Sequence, residues 1–347
     1  MERIVAAENL TLLQLGAFFG NHDTEEEFRE ANRRGIMLLE NLEILPTKEE
    51  EKTCPTCQAG MSAITDRTRT LGWRYRCNGP VKHRMEPTAN TFVDHARVNE
   101  IGSFRIIILM YSWLIGMPVT SAQVQVQVGA ETAMAWYKYC RDVATKIAWH
   151  DLGQIGGPGD VVEIDETHLF KRKYHVGRRT MWEHHWLFGG ISRATKKRFG
   201  VMVPAYGILD TIFEGHGTVN HSTNFLQPPL GEDPIWVPTG TFLPECLDKN
   251  WIGPPPRENV QPFRIHTNNA KRSWRELKSI LTKCNGLQVT EGYIGEWMYR
   301  KNILDENATI TEKFFRFCND VARAYPGIGK NPMQIDIENC NCHECEE

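Results

Sequence analysis

The chain is poor in charge of a single sign. Its 40 Lys and Arg stand against 43 Asp and Glu, a formal net charge of −3. That excludes a protein that coats nucleic acid by bulk charge, so contact with a polyanion has to come from local patches. Lys171-Arg172-Lys173, Arg178-Arg179 and Lys196-Lys197-Arg198 are such patches, although solvated surface charge is the plainer reading of most runs of this kind. Long apolar runs are missing as well. The longest, around Ile106-Ile107-Ile108-Leu109-Met110, is interrupted by Arg105 and Gly116, well short of the roughly 20 residues a membrane-spanning helix needs. No basic, apolar, small-residue leader pattern stands at the N-terminus. The chain therefore reads as intracellular and soluble, with no membrane partner. Internal repeats and low-complexity tracts are also lacking, which leaves out repeat architectures.

What is present is enough apolar residue, 41% of 347, for two or three domains with a sizeable core. Leu10 to Phe19 and Glu25 to Leu42 read as helices within an N-terminal helical segment, 1–50. Residues 51–98 hold a cysteine cluster among aromatics. Residues 99–152 are helical in pattern, punctuated by Pro118 and Gly129. Gly153 to Gly159 is rich in glycine and reads as a linker. Past it the pattern changes to short β-type runs at Val161 to Ile164, His185 to Ile191 and Phe199 to Val203. Residues 228–262, rich in Pro and Gly, read as a long loop. Helical periodicity returns at Asn268 to Cys284 and Val289 to Leu304. A tail, 309–347, ends in Cys340, Cys342 and Cys345; this cluster is too compact to enclose an ion by itself and reads as reduced thiols.

Ten cysteines in a reducing compartment argue for metal at some of them rather than for disulfides. Cys54-Pro55-Thr56-Cys57 forms one knuckle, and Cys77 with His83 supplies a second about twenty residues on. Two such knuckles joined by a hairpin close a tetrahedral zinc site, here Cys54, Cys57, Cys77 and His83, structural rather than catalytic. His95 competes with His83 for the fourth place. Trp73-Arg74-Tyr75-Arg76 reads as the strand leading into Cys77. The arginines and aromatics here either contact phosphate or pack a hairpin too small for a core of its own.

Ser103 to Leu114 is apolar at helical spacing. Pro118-Val119-Thr120-Ser121 offers a turn, residues 121–128 suit either a short helix or a strand, and Gly129 precedes a longer helix to about Trp149. That order is the one a helix-turn-helix uses, with the last helix presenting Glu131, Thr132, Trp136 and Lys138 to a major groove. An ordinary helical subdomain fits the same pattern.

Val161-Val162-Glu163-Ile164-Asp165-Glu166 is an apolar strand ending in carboxylates, the setting in which a two-metal nuclease holds its first Asp. Alone this is a common arrangement of a strand and a surface turn. It is followed in order by Lys171-Arg172-Lys173-Tyr174-His175, Gly177-Arg178-Arg179 and Trp186-Leu187-Phe188-Gly189-Gly190-Ile191. Later come Thr218 to Phe225 with His221, then His266-Thr267-Asn268-Asn269, Trp274 with Lys278, and Glu296-Trp297-Met298-Tyr299-Arg300. This ordered set resembles the Merlin superfamily of eukaryotic transposases and its bacterial insertion-sequence relatives, over roughly residues 50–305. The resemblance implies an RNase H-like domain, 153–308, in which three acids bind Mg²⁺ or Mn²⁺, cleave DNA at transposon ends and join them to a target. Asp165 matches the first acid, and His221, Thr267, Asn268, Trp274 and Lys278 fall on family motif positions.

The sequence departs from that pattern in three places. Val201-Met202-Val203-Pro204 runs directly into Ala205-Tyr206, so the segment carrying the second Asp is missing. Lys271 stands where the third acid belongs, and an ammonium there repels metal ions. Residues 229–264 read as an insertion. Asp210 and Glu214 read as surface acids, and Glu276 is rotated off the Lys271 face of its helix. The expected architecture is an α+β multidomain chain: a zinc ribbon (51–98), a helix-turn-helix-like region (99–152) and an RNase H-like α/β domain with an internal deletion. The expected function is that of a transposase-derived, nuclear DNA-binding protein without strand transfer. Its expected DNA contacts are Glu131, Thr132, Trp136, Lys138, Lys171, Arg172, Lys173, Arg178 and Arg179. Structural Zn²⁺ is expected; Mg²⁺ or Mn²⁺ enters only if the nuclease site works. The expected partner is double-stranded DNA, with self-association left open and no small-molecule substrate. An active cut-and-paste transposase and a protein–protein adaptor on the same scaffold are the alternatives.

Overall fold

The structure is a computed structural model that describes residues 9–69, 71–94, 96, 98–156, 160–169, 186–203, 235–238, 260–263, 266–281 and 287–334. The chain is mixed α+β and divides into two compact units, 1–150 with 304–347, and 151–303.

The first unit is built around one buried helix. Helices α1 (Leu12–Phe19) and α2 (Glu25–Asn41) each start with a capping box, Thr11 with Gln14 and Thr24 with Glu27, which satisfies first-turn N–H groups. A four-stranded antiparallel sheet follows: β1 (Lys52–Thr53), β2 (Gly60–Thr65), β3 (Trp73–Cys77) and β4 (Arg84–Met85), in the order β1-β2-β3-β4. After α3 (Val98–Ile101), α4 (Ser103–Leu114) buries Phe104, Ile106, Ile107, Leu109, Met110, Trp113 and Leu114. An apolar helix buried on nearly all sides packs against several partners, here α1, α2, α5 (Val119–Val126) and α6 (Ala130–His150). The crossing with α2 is close. Asn32 Oδ1 accepts from Ser103 N at 2.7 Å, and a Cβ on Gly35 would stand 2.3 Å from Ser103 Oγ. Among the described residues no helix is long and apolar enough to cross a membrane.

Residues 121–128, open between helix and strand in sequence, lie mostly in α5. Its buried Ala122 and Val126 are one turn apart, and Gln127 ends it with φ 57°. The turn then restarts as α6, the order expected of a helix-turn-helix. Residues 309–347, set apart in sequence as a tail, include α9 (Ile310–Ala324), which packs on α4 and α6. Trp113 and Phe317 rings lie 4.8 Å apart, and Leu10 N donates to Thr311 Oγ1 at 2.8 Å. The apolar stripe Phe314, Phe317, Cys318, Val321, Ala324 is what draws this helix back onto the N-terminal unit. Cys340, Cys342 and Cys345 lie outside the described residues.

In the second unit β5 (Val162–His168), β6 (Trp186–Ser192) and β7 (Arg198–Val203) form an antiparallel sheet in the order β5-β6-β7. Helix α7 (Asn268–Leu281) packs on β5 and β6, and α8 (Leu287–Asn302) packs on β7. Ala270, Ser273, Trp274, Leu277 and Leu281 are the buried face of α7, the three-and-four spacing of an amphipathic helix. The stretch expected as one long loop, 228–262, instead contributes two strands, β8 (Ile235–Pro238) paired antiparallel with β9 (Val260–Phe263). Prolines pointed to a loop, but in this two-stranded sheet both strands are edges, and an edge tolerates a missing N–H. The segments where the second Asp of the family pattern, Asp210, Glu214 and His221 would be sought lie outside the described residues.

Candidate metal centre and the Asp165 cleft

The knuckle spacing brings four donors together. Sγ of Cys54, Cys57 and Cys77 and a ring nitrogen of His83 all lie within 4.8 Å of one another. Cys54 Sγ is 3.4 Å from His83 Nδ1, and Cys57 Sγ is 3.2 Å from Cys77 Sγ. Sulfur ligands on a tetrahedron of about 2.3 Å radius stand about 3.7 Å apart, so the separations suit a metal ion at the centre. Backbone pairing shapes both knuckles. Gln58 N donates to Cys54 O and Cys54 N to Ala59 O, both at 2.8 Å, while Cys77 N donates to His83 O at 2.8 Å. Gly79 N donates to Cys77 Sγ at 3.2 Å, and a Cβ at Gly79 would stand 3.3 Å from the sulfurs of both Cys57 and Cys77. Cys54 and Cys77 are buried, His83 half-buried and Cys57 exposed.

Burial pushes the Cys54 thiol up, but the N–H groups of Cys57 and Thr56 and the neighbouring thiols of Cys57 and Cys77 outweigh it and bring it down to about 6. At Cys57 the Ala59 N–H pulls the other way from the Cys77 and Cys54 thiols and burial, and the net shift is upward. Neighbouring thiolates oppose one another's ionisation, and a divalent cation removes that conflict. Three thiolates and an imidazole could bind such an ion. His95 lies outside the described residues.

The aromatics beside this cluster face inward. Trp73 and Tyr75 share a small core with Met61, Cys54, Cys77 and Ile328, and the Tyr75 hydroxyl donates to Glu50 O at 3.1 Å. The hairpin is too small to bury its own face, so it takes Ile328 from the far end of the chain.

In the second unit β5 and α7 run side by side, joined by rungs from alternate strand residues. Asn269 N donates to Glu163 Oε2 at 2.8 Å, Trp274 Nε1 to Asp165 Oδ2 at 3.1 Å, and Lys278 Nζ to Thr167 Oγ1 at 2.6 Å. Two strand residues rise about 6.7 Å, and the five and four helix residues between rungs rise about 7.5 and 6 Å, which is why the rungs stay in step. Gly189 of β6 makes room for Trp274, since a Cβ there would stand 2.7 Å from the indole and 2.3 Å from Phe199 O.

Glu163, read in sequence only as part of the apolar run before Asp165, is buried. It accepts from Arg193 Nε at 2.8 Å, Asn269 Nδ2 at 2.6 Å and Ala270 N at 3.3 Å, with His266 Nδ1 at 3.3 Å. A carboxylate on the free N–H groups of a helix start meets both unsatisfied donors and the favourable end of the helix dipole. The signal for it was a charged residue inside an apolar strand, which is rarely buried without a partner.

Asp165 lines an open cleft of about 690 Å³ with Glu166, Thr167, Trp186, Lys271, Trp274, Arg275 and Lys278. The position expected to carry the third acid thus brings a cation to the Asp165 cleft. Glu276 pairs with Arg198 at 3.0 Å and Lys301 at 3.2 Å. Burial opposes its ionisation, but those two cations hold it below the usual carboxylate range. Among the described residues no group of metal-ligating side chains gathers other than the Cys54 cluster. Thr267 O accepts the Lys271 N–H at 2.9 Å, and Asn268 opens α7.

Of the groups expected to meet DNA, Glu131 and Lys138 are exposed on α6 and Thr132 is half-buried. Trp136 is a correction. It is 3% exposed and packs against Phe92 and Tyr139 at 5.4 and 5.5 Å, so its ring belongs to the core of the unit. The run Lys196-Lys197-Arg198 is tied up locally: Lys196 Nζ donates to Arg193 O, Lys197 Nζ to Leu152 O at 3.5 Å, and Arg198 pairs with Glu276. Lys171, Arg172, Lys173, Arg178 and Arg179 lie outside the described residues.

Comparison with models of known families, with characterised proteins and with solved structures returned no match.

Proposed function

We propose that this is a transposase-derived protein that binds double-stranded DNA in the nucleus and no longer performs strand transfer. In this reading the first unit carries DNA contact, with a zinc ribbon held by Cys54, Cys57, Cys77 and His83 beside the α5–α6 helix-turn-helix-like pair. The ion is Zn²⁺, because three sulfurs and an imidazole in a closed knuckle suit zinc and leave no position for a reacting water. The second unit is an RNase H-like scaffold of the Merlin type in which Asp165 remains from the acidic triad.

The observation that carries the loss of chemistry is the Asp165 cleft. Two-metal cleavage needs several carboxylates converging on ions about 4 Å apart. Here Asp165 accepts from the Trp274 indole, and the three cations Lys271, Arg275 and Lys278 outnumber the carboxylates Asp165 and Glu166 in the cleft. Those cations favour an anion over a divalent metal.

The test is binding of the zinc-loaded full chain to a duplex oligonucleotide across a salt series, with a Mg²⁺ or Mn²⁺ cleavage assay on the element's own terminal repeats. Salt-dependent binding without cleavage is the expected result. Failure to bind duplex at low salt overturns the DNA reading in favour of the adaptor. Cleavage that vanishes in Asp165→Ala overturns the loss of activity.

A further inference from the structure

The antiparallel register of the ribbon sorts its side chains onto two faces. Met61 pairs with Cys77, Ala63 with Tyr75, and Tyr75 with Met85; these residues line the small core. The alternate residues turn outward. Ser62 lies opposite Arg76, Ile64 opposite Arg74, and Arg76 opposite Arg84. Arg74 is paired with Asp66 at 3.1 Å, and Arg69 is shared between Asp66 and Glu86. Arg76 and Arg84 differ. Both are exposed, and among the described residues neither side chain has an ion pair.

Like charges directly opposite each other on adjacent strands disfavour the sheet. Two guanidiniums in that position are relieved by an anion that bridges them, and the planar fork of arginine suits phosphate oxygens. Exposed Lys82 and Arg67 extend the positive surface at the two ends of the hairpin. The surface is an open sheet face, not a pocket, which suits an extended polyanion better than a small one.

We propose that Arg76 and Arg84 form a phosphate clamp on the outer face of the ribbon, contacting the backbone of duplex DNA. This rests on the DNA-binding reading and names the surface responsible. The contacts are to phosphate, so they position the ribbon on the duplex without selecting a sequence.

The experiment uses the zinc-loaded full chain and a duplex of arbitrary sequence, with affinity followed by fluorescence anisotropy from low to high KCl. Each phosphate contact contributes about 0.9 to the slope of log K against log salt. Arg76→Gln with Arg84→Gln should therefore lower the slope by about 1.8, an affinity loss of about 60-fold at 0.1 M salt. Arg76→Lys with Arg84→Lys keeps the charge and should keep the slope. A slope lost with glutamine and retained with lysine, at unchanged zinc content, is an outcome a folding defect does not produce. If wild type binds duplex and the glutamine variant matches it in affinity and slope, the clamp is wrong and the DNA reading stands. If these arginines act on single-stranded RNA or an acidic peptide but not on duplex, the assignment to DNA is overturned. If wild type does not bind duplex at low salt, both readings fall.

Discussion

Removing the Glu163 carboxylate should unlock the second unit selectively. The Glu163 side chain is 1% exposed and that of Arg193 is 4% exposed, so neither charge has water to fall back on. Glu163→Ala removes the carboxylate that pairs with Arg193 Nε at 2.8 Å. It also strips the acceptor from Asn269 N and Ala270 N at the start of α7. Breaking a buried pair by deleting one partner costs about 3–5 kcal/mol, against a total domain stability of about 5–15 kcal/mol. With a urea dependence near 2 kcal/mol per molar, the midpoint should fall by roughly 2 M. Urea unfolding followed by hydrogen exchange, read by peptide, locates the loss. Protection should drop first in the residues of β5 and α7, while the zinc content of the first unit stays constant, because every Glu163 partner belongs to 151–303. The double replacement Glu163→Met with Arg193→Met should recover only the part of the loss due to the Arg193 charge, because Asn269 N and Ala270 N still lack their acceptor. A Glu163→Ala cost under about 1 kcal/mol, or a double variant that regains full stability, would refute the argument that Glu163 holds α7 to the sheet.

Other outcomes follow from the same geometry. One zinc per chain is expected by metal analysis, and Cys54→Ser should abolish it; a chelator should then release the ribbon, read as new exchange in residues 51–98, because folding and metal binding are coupled there. On the proposed reading, Lys271→Glu alone should yield no Mg²⁺- or Mn²⁺-dependent cleavage, since two-metal cleavage needs several converging carboxylates and the sequence lacks the segment that would carry the pattern's second acid; cleavage in an end-nicking assay is the contrary result. Gly189→Ala should destabilise the second unit by about 1–3 kcal/mol through overpacking against Trp274 and Phe199 O, a shift visible in its thermal melting and absent if the sheet can part there freely.

Much of the local structure was legible in the chain. Thr-x-x-Gln/Glu patterns mark the starts of α1 and α2 because the caps act within four residues. The Cys54 cluster was legible because ligand spacing is set by a turn and a hairpin, both local. Alternation in β3 placed Trp73 and Tyr75 together, and the structure decided between phosphate and core by burying them.

What sequence order left open depends on partners far along the chain. Trp136 reads equally well as a groove-facing or a core residue until Phe92 and Tyr139 are seen against it. The helix at Ile310–Ala324 looks like part of a tail until its apolar stripe meets α4, nearly two hundred residues earlier. Glu163 looks like one acid near another; the docking of α7 onto β5 supplies the Asn269 and Ala270 N–H groups, and the pairing of β5 with β6 brings the Arg193 guanidinium, that make it a buried lock. The Arg76–Arg84 opposition arises from strand register, which a run of residues cannot display. Local hydrogen bonding and side-chain periodicity are written into neighbouring residues. Burial, charge pairing and the sharing of one cleft by Asp165 and Lys271 are decided when distant segments meet, because each is a property of the space between elements.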